Sequence, residues 1–330
     1  GLQVGLLAAF FVAFSPGVWI LGGSRMSQTS VLVSLGMMMV VALERSNKHW
    51  PWIVGGVAAS YVVLARPFDA ALLAAPLLIW GGLRAERKSA LMGWLVLPLL
   101  AGILVLLDNY SITGDAFRFP MSEWYDAWQE RKGCNRLGFG TDVGCAQTLG
   151  TWGHTPKKAF LLAVETLIRF DRLLLGIPGG AVLALGLALH KRVTRGWWWV
   201  ALVVFGYALY WSPGRAYGAR FWHPLYLVVP VALALGLAHV RRRWVVLLTV
   251  GASVLGTRSI SADLSNSYWC TDQRIANLVE DKNIKEGVLF VRSSGRRKVS
   301  WPSLGVDRFV CDPLLASGNA WMLAHPENST

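Results

Sequence analysis

The chain has 330 residues, of which 54% are hydrophobic, only 15% are charged and 17 are Trp. Its apolar residues come in long unbroken runs, which excludes an ordinary soluble domain and predicts an all-α polytopic membrane protein. The formal net charge of +13 does not indicate nucleic-acid binding, because about eleven basic residues lie in four short loops between apolar runs, as topogenic charges do beside anionic lipid. These loops carry Arg45 and Lys48; Arg84, Arg87 and Lys88; Lys191, Arg192 and Arg195; and Arg241, Arg242 and Arg243.

About nine apolar segments have the length that a helix needs to cross a bilayer core of roughly 30 Å. If the four basic loops face the cytoplasm, alternation places the links between the other segments on the outer side. The alternation closes only if residues 158–173 do not span the membrane, and charged residues interrupt that segment in the manner of an interfacial helix. The predicted spans are residues 3–21, 28–43, 51–65, 68–83, 91–107, 174–189, 197–212, 222–239 and 244–257.

Two predicted outer segments are soluble in character. The loop 109–157 belongs, together with the interfacial helix 158–173, to a transmembrane domain over 1–257, and the tail 258–330 forms a separate extracytoplasmic segment. In the tail, a helix-like stretch at 271–281 and a strand-like run at 288–291 predict a small α/β unit. Each segment carries two cysteines, so we expect one disulfide in each, as suits an oxidising compartment. Metal binding is disfavoured because no CxxC or clustered His accompanies them. The expected pairs are Cys134 with Cys145 and Cys270 with Cys311.

Four arginines, Arg25, Arg66, Arg215 and Arg220, lie in short links on the predicted outer side. This placement opposes the positive-inside rule and suggests anion binding. Arg66 precedes Pro67, which suits the first turn of the next helix, and Asp69 follows one turn later. Arg66 could therefore bind a phosphate, or it could reach the lipid headgroups and pair with Asp69.

The link Pro213–Phe221 holds Arg215, Tyr217 and Arg220 together with two glycines. Glycines let backbone amides approach a ligand, and guanidinium groups bind phosphate with two parallel hydrogen bonds. A plain polar turn would not need so many donors, so this composition favours a binding role.

Polar residues also open and close the large outer loop. His154, near its end, could carry a proton or donate a hydrogen bond, or it could be structural. Thr155 and Pro156 predict a helix N-cap with Pro at the first helical position. The residues that open the loop are Asp108, Asn109, Asp115 and Arg118.

A series of short motifs runs through the chain: Ser15-Pro16, Gly23–Gln28, Ala65-Arg66-Pro67, Thr113–Pro120, Gly138-Phe139-Gly140, Gly153–Pro156, Gly176-Ile177-Pro178 and Tyr217–Phe221. Their order and spacing resemble bacterial membrane glycosyltransferases of the GT-C fold, most closely the family 39-like branch. That branch is related to protein mannosyltransferases and to the aminoarabinose transferases that modify lipid A. Two positions depart from the family pattern: Gln28 stands where relatives often have His, and Pro224 where an acidic residue is expected.

The resemblance implies a hexosyl- or pentosyltransferase in the bacterial inner membrane, with the large loop and the tail extracytoplasmic. It would take a sugar from a polyprenyl-phosphate donor in the bilayer and transfer it to an envelope lipid, glycan or protein. No cofactor is expected, and the sequence leaves a divalent metal open without indicating one. Arg66 and Arg220, with Arg215 and Tyr217, would face the donor phosphate. The sugar and acceptor pocket would be formed by Asp69, Asp108, Asn109, Asp115, Arg118 and His154.

The catalytic residue itself is not identified. The chain begins with Gly1 inside an apolar run, without an initiator Met or a signal-peptide pattern, so we expect a fragment of a longer protein. In the family that the chain resembles, an acidic residue of the first outer loop acts as the base or orients the acceptor. That residue would precede Gly1.

Two other functions are compatible with a polytopic membrane protein. A transporter or flippase of a lipid-linked glycan would have ionisable or helix-breaking positions near the middle of the bilayer and repeated halves. Here the polar residues cluster towards one face, and no internal repeat is evident. A noncatalytic envelope protein would use its outer segments to bind a partner.

Overall fold

A computed structural model gives the structure of the chain and describes residues 2–23, 27–44, 48–85, 91–128, 132–145, 151–176, 178–180, 197–212, 219–238, 243–267, 297–301 and 306–311. This part is mostly helical, which confirms the all-α class. The first four helices are α1 (Leu2–Ala13), α2 (Pro16–Gly23), α3 (Gln28–Glu44) and α4 (His49–Ala65). Two longer helices contain π-helical turns: α5 (Pro67–Asp69, Ala70–Ala74, Ala75–Arg84) and α6 (Met92–Val96, Leu97–Thr113). The later helices are α7 (Pro120–Trp128), α8 (Pro156–Leu175), α9 (Trp197–Ala208), α10 (Arg220–Leu227 as 3₁₀, then Val229–Ala238) and α11 (Arg243–Ser267).

Within this described part, two helices are long and apolar enough to cross a membrane, α6 with 22 residues and α10 with 19 residues. A third candidate is the pair α1 and α2, if the two count as one span despite a bend of 58° between them. The predicted count of about nine spans is therefore not confirmed. The helices α3, α4 and α9 are apolar but shorter, and most of the predicted span 174–189 lies outside the described residues.

The bend in the predicted span 3–21 lies at Phe14 and Ser15, just before Pro16. Proline cannot donate a backbone hydrogen bond, so a helix breaks or begins there. Hydroxyl groups satisfy carbonyls around the break: Thr257 Oγ1 donates to Phe14 O at 2.5 Å, and Ser15 Oγ donates to Leu173 O at 2.8 Å. The break is thus tied to α8 and α11.

Many large apolar side chains of these helices face outward. On α6, Leu99, Leu104 and Leu107 are 58–66% exposed, and α3, α4 and α11 show similar exposed Val, Met and Leu residues. A surface of this kind is unfavourable in water and favourable in a lipid bilayer. The described core instead forms where helices meet, with Trp52 and Trp94 fully buried.

Glycines allow α4 and the start of α6 to pack closely. A Cβ atom added at Gly56 would lie 1.9 Å from the carbonyl oxygen of Gly93, and one at Gly55 would lie 2.2 Å from the Trp94 ring. The Trp94 indole donates to Leu78 O at 2.8 Å. The hydrogen bond to Leu78 ties the start of α6 to α5, while the glycine contacts bring it against the second turn of α4.

The large loop docks on the end of α9. Leu137 and Tyr210 form an isolated antiparallel bridge, and a second bridge joins Gly140 to His154. The predicted Cys134–Cys145 disulfide is present, and Trp211 packs on it. The predicted outer loop therefore packs against the end of the predicted span 197–212.

The helix α8 begins and ends where its sequence indicates. The Thr155 hydroxyl caps it by accepting a hydrogen bond from Lys158 N at 3.3 Å, and Gly176, with a φ of 73°, ends it. The helix α8 packs against α9 and against the 3₁₀ part of α10. At the contact with α10, the centroids of the Phe170 and Tyr226 rings lie 4.9 Å apart. The position of α8 relative to a bilayer remains a prediction.

In the tail the structure describes two antiparallel strands, β1 (Arg297–Trp301) and β2 (Val306–Cys311). The predicted helix at 271–281 and the strand-like run at 288–291 lie outside the described residues, as does Cys270. The α/β tail and the pairing of Cys270 with Cys311 therefore remain predictions.

The close packing of α4 on α6 gives a stability prediction. Gly56→Ala should lower the free energy of unfolding by about 1–3 kcal/mol, because the added methyl group overlaps the Gly93 carbonyl. Gly102→Ala is the matched control, since no atom lies within 4 Å of its added Cβ, and it should be neutral or slightly stabilising. Thermal unfolding in detergent measures both, and equal melting temperatures for the two variants would contradict the packing.

Candidate functional site

A buried ion pair lies at the turn between α4 and α5. Because Pro67 starts α5 directly after Arg66, Asp69 falls one helical turn along and its Oδ2 pairs with Arg66 Nε. The Tyr207 hydroxyl from α9 donates to Asp69 Oδ1 and accepts from Arg66 Nη2 at 3.2 Å. The Asp69 side chain is fully buried and that of Arg66 is 15% exposed.

Electrostatics keep Arg66 charged. Burial alone would lower the pKa of Arg66, but the Asp69 carboxylate and the Tyr207 hydroxyl outweigh that effect and raise the pKa above its usual value. The Arg66 guanidinium is therefore a permanent cation, and Asp69 is held by a charge partner that cannot lose its proton.

A single aromatic ring brings the two predicted phosphate-binding arginines together. The Arg220 guanidinium lies 4.9 Å from the centroid of the Phe221 ring, and the Arg66 guanidinium lies 5.8 Å from the same centroid. Tyr207 stacks on this ring, with the centroids 5.1 Å apart and the planes only 7° from parallel. We call Arg66, Asp69, Tyr207, Arg220 and Phe221 the arginine cluster.

The start of α10 is a 3₁₀ helix over Arg220–Leu227, in which side chains three residues apart align. His223 therefore lies on the same side of this helix as Arg220. Its Nδ1 is 2.9 Å from Arg220 O, and since a carbonyl can only accept, Nδ1 carries the proton. The other ring nitrogen, Nε2, is buried without a hydrogen-bond partner.

A small cavity adjoins the arginine cluster. Its volume is about 20 Å³, which is enough for about one water molecule. Four parts of the chain form its wall: the large loop, α8, α9 and the start of α10. The lining includes His154, Thr166, Tyr207, Tyr210, Phe221 and Trp222.

The loop that carries His154 is fixed by Lys158. The Lys158 ammonium donates to Gly153 O at 2.7 Å, Thr151 O at 2.6 Å and Trp152 O at 3.0 Å. Three carbonyl acceptors match the three donors of an ammonium group, and the Lys158 residue is only 8% exposed. Lys158 therefore holds the segment before α8 in place.

Several predicted pocket residues lie away from the cluster and shape the start of the large loop. Asn109 is buried and its amide donates to Ala116 O at 3.0 Å, while Asp115 accepts from Phe117 N at 2.9 Å. Arg118 pairs with Glu123 and Asp126 on the loop surface. Asp108 is exposed on α6. Asn109, Asp115 and Arg118 hold the start of the loop through these contacts, and none of the four residues joins the arginine cluster.

Arg215 and Tyr217 lie outside the described residues. Sequence reasoning did not identify Tyr207, His223 and Lys158. A tyrosine near the end of an apolar run was the available signal for Tyr207, since a buried hydroxyl needs a partner. Among the described residues, no group of three or more His, Cys, Asp and Glu side chains could hold a metal ion.

No family model matches the chain, and no curated protein or solved structure matches it either.

The buried ion pair gives a second prediction. Arg66→Leu should destabilise the protein by about 3–5 kcal/mol, because it leaves the Asp69 carboxylate buried without its charge partner. The double variant Arg66→Leu/Asp69→Leu should recover most of that loss. Thermal unfolding of the single and double variants measures the coupling, and additive losses would contradict the pairing.

A third prediction concerns the Lys158 contacts. Lys158→Met should free the loop before α8 and speed its cleavage by a nonspecific protease at least about tenfold, because the open state becomes more populated. The control Lys157→Met removes an exposed neighbouring charge and should leave the cleavage rate unchanged. Mass spectrometry of the fragments shows whether cleavage falls in the loop.

Proposed function

We propose that the chain belongs to an integral membrane glycosyltransferase that transfers a sugar from a polyprenyl phosphate to an envelope lipid, glycan or protein. The observation that carries this proposal is the approach of Arg66 and Arg220 to the same Phe221 ring, from links 154 residues apart. Guanidinium groups so placed suit a phosphate, which accepts several charge-assisted hydrogen bonds.

The two arginines of the cluster have different roles in this proposal. The Asp69 carboxylate compensates the Arg66 guanidinium, and Arg220 brings a second guanidinium to the same Phe221 ring. A glycosyl polyprenyl phosphate is a phosphodiester with one negative charge, which a guanidinium group binds with charge-assisted hydrogen bonds. Arg220 is the main phosphate contact in this proposal, and Arg66 is held by Asp69 in a fixed orientation beside it.

Positive charge at this position would favour the reaction itself. The bond between the sugar C1 and the phosphate oxygen breaks, and its electron pair leaves with the polyprenyl phosphate. A new bond forms between C1 and the acceptor oxygen, whose proton passes to a base. The leaving phosphate monoester gains negative charge, so a nearby Arg220 stabilises the transition state more than the ground state.

A lipid-linked donor suits the surroundings of the cluster. Phe205 and Leu209 at the end of α9 are 73% and 42% exposed, and exposed apolar side chains cover the neighbouring helices. A polyprenyl chain could follow such a surface from the bilayer while its phosphate lies at the cluster. The Cys134–Cys145 disulfide of the docked loop suits an oxidising compartment, which supports an extracytoplasmic site on a bacterial inner-membrane protein.

The fourth prediction tests the phosphate contact. In the full-length protein, Arg220→Gln should reduce transfer from a radiolabelled hexosyl polyprenyl phosphate by about 100-fold, because one charged donor to the leaving group is lost. The control Arg136→Gln removes an exposed loop arginine that pairs with Asp142 and should keep wild-type activity.

The competing functions give other results in the same assay. Near-normal transfer by Arg220→Gln would contradict the assigned role. Movement of the intact donor between leaflets of a vesicle, without release of polyprenyl phosphate, would indicate a flippase. Absence of both activities in the wild-type full-length protein would favour a noncatalytic role.

A further inference from the structure

His154 is held rigidly in one tautomer. Its Nε2 lies 2.9 Å from Ala208 O, and since a carbonyl oxygen can only accept, Nε2 carries the proton of the neutral ring. The His154 backbone is paired in both directions with Gly140, each N to O distance being 2.8 Å, and Phe139 stacks on the ring with centroids 5.3 Å apart. The imidazole therefore has little freedom to turn.

Because the ring proton is on Nε2, the lone pair of His154 Nδ1 can accept a hydrogen bond. This nitrogen is buried without a hydrogen-bond partner, and the His154 residue is only 1% exposed. An unpaired buried acceptor is unfavourable in a folded protein, because the hydrogen bond that it made to water is lost. The protein retains this cost at a residue that lines the cavity beside the arginine cluster.

Four hydroxyl groups line the cavity, those of Thr166, Tyr207, Tyr210 and Ser212, and none of them is hydrogen-bonded to His154 Nδ1. The Thr166 hydroxyl donates to Leu162 O at 2.7 Å, and the Tyr207 hydroxyl donates to Asp69 Oδ1. These two protons are not available to His154 Nδ1. Since Nδ1 has no hydrogen-bond partner among the described residues, a group that occupies the cavity can supply the donor.

We propose that this cavity is a hydroxyl-recognition subsite, in which His154 Nδ1 accepts a hydrogen bond from one hydroxyl or hydroxymethyl group of the bound sugar. The inference rests on the proposed function and extends it to sugar recognition. A volume of about 20 Å³ admits one such substituent and excludes a sugar ring, which must lie outside the cavity. The arginines supply donors for the phosphate, and His154 supplies an acceptor for the sugar.

Two substitutions test the roles of the two ring nitrogens of His154 separately. The amide of Gln can occupy the position of Nε2, so His154→Gln keeps the bond to Ala208 O and removes the Nδ1 acceptor. The amide oxygen of Asn can occupy the position of Nδ1, so His154→Asn keeps an acceptor at the cavity. Equal melting temperatures for the wild type and His154→Gln show that the fold is retained.

Binding of four probes to the full-length protein tests the subsite. The probes are a hexosyl polyprenyl phosphate, the same polyprenyl phosphate without sugar, a hexose 1-phosphate and inorganic phosphate. His154→Gln should weaken the two hexose-bearing probes about tenfold, the effect of one hydrogen bond, and leave the two bare phosphates unchanged. His154→Asn should bind the hexose-bearing probes within about threefold of the wild type, as expected when an acceptor remains.

The remaining outcomes decide between the two proposals. An equal loss for all four probes would assign His154 a purely structural role, and no loss for the hexose-bearing probes would mean that only water occupies the cavity; either result overturns the subsite. If only the soluble hexose 1-phosphate shows the His154 effect and neither lipid binds, the lipid-linked donor is wrong and the subsite stands. A wild-type protein that binds no hexose-bearing probe contradicts the subsite outright.

Discussion

The structure around the candidate site depends on one constraint, the need to compensate the buried carboxylate of Asp69. A charge removed from water is tolerated only with a close partner and further hydrogen bonds. Arg66 supplies the charge and Tyr207 the hydrogen bond. Because Tyr207 comes from α9, this single interaction joins the α4–α5 turn to the end of a helix far away in the sequence. It also holds the Arg66 guanidinium near the Phe221 ring, 5.8 Å from its centroid.

A loop and several helices meet near that ion pair. The large loop reaches the end of α9 through short bridges and its disulfide, and Lys158 fixes the last turn of the loop before α8. The 3₁₀ start of α10 delivers Arg220 and Phe221 to the same place. The result is a polar site at the end of a bundle whose outer surface is apolar. Such a site suits a substrate with a charged head and a long lipid tail, and the further acceptor at His154 suits a hydroxylated group on that head.

Local features of this fold could be predicted from the sequence, and tertiary ones could not. The turn at Arg66 and Pro67, the Thr155 cap and the Cys134–Cys145 pair each depend on residues near one another in the chain. The partnership of Asp69 with Tyr207 spans 138 residues and leaves no local pattern. The helix break at Ser15 had a signal in Pro16, but the hydroxyl of Thr257 that supports it comes from the other end of the chain. The predicted span 222–239 begins instead with 3₁₀ geometry, over Arg220–Leu227, and its local signal is Pro224 inside that segment.

In the proposed function a lipid phosphate lies beside Arg66 and Arg220. The most direct measurement is photocrosslinking of the membrane-inserted full-length protein to a polyprenyl phosphate that carries a diazirine next to its phosphate, with the modified peptides identified by mass spectrometry. We expect crosslinks in the peptides that contain Arg66–Asp69 and Arg220–His223, and their loss when excess unlabelled polyprenyl phosphate is added. Crosslinks confined to exposed lipid-facing residues, such as Leu99 and Leu104 of α6, and insensitive to that competitor would contradict it.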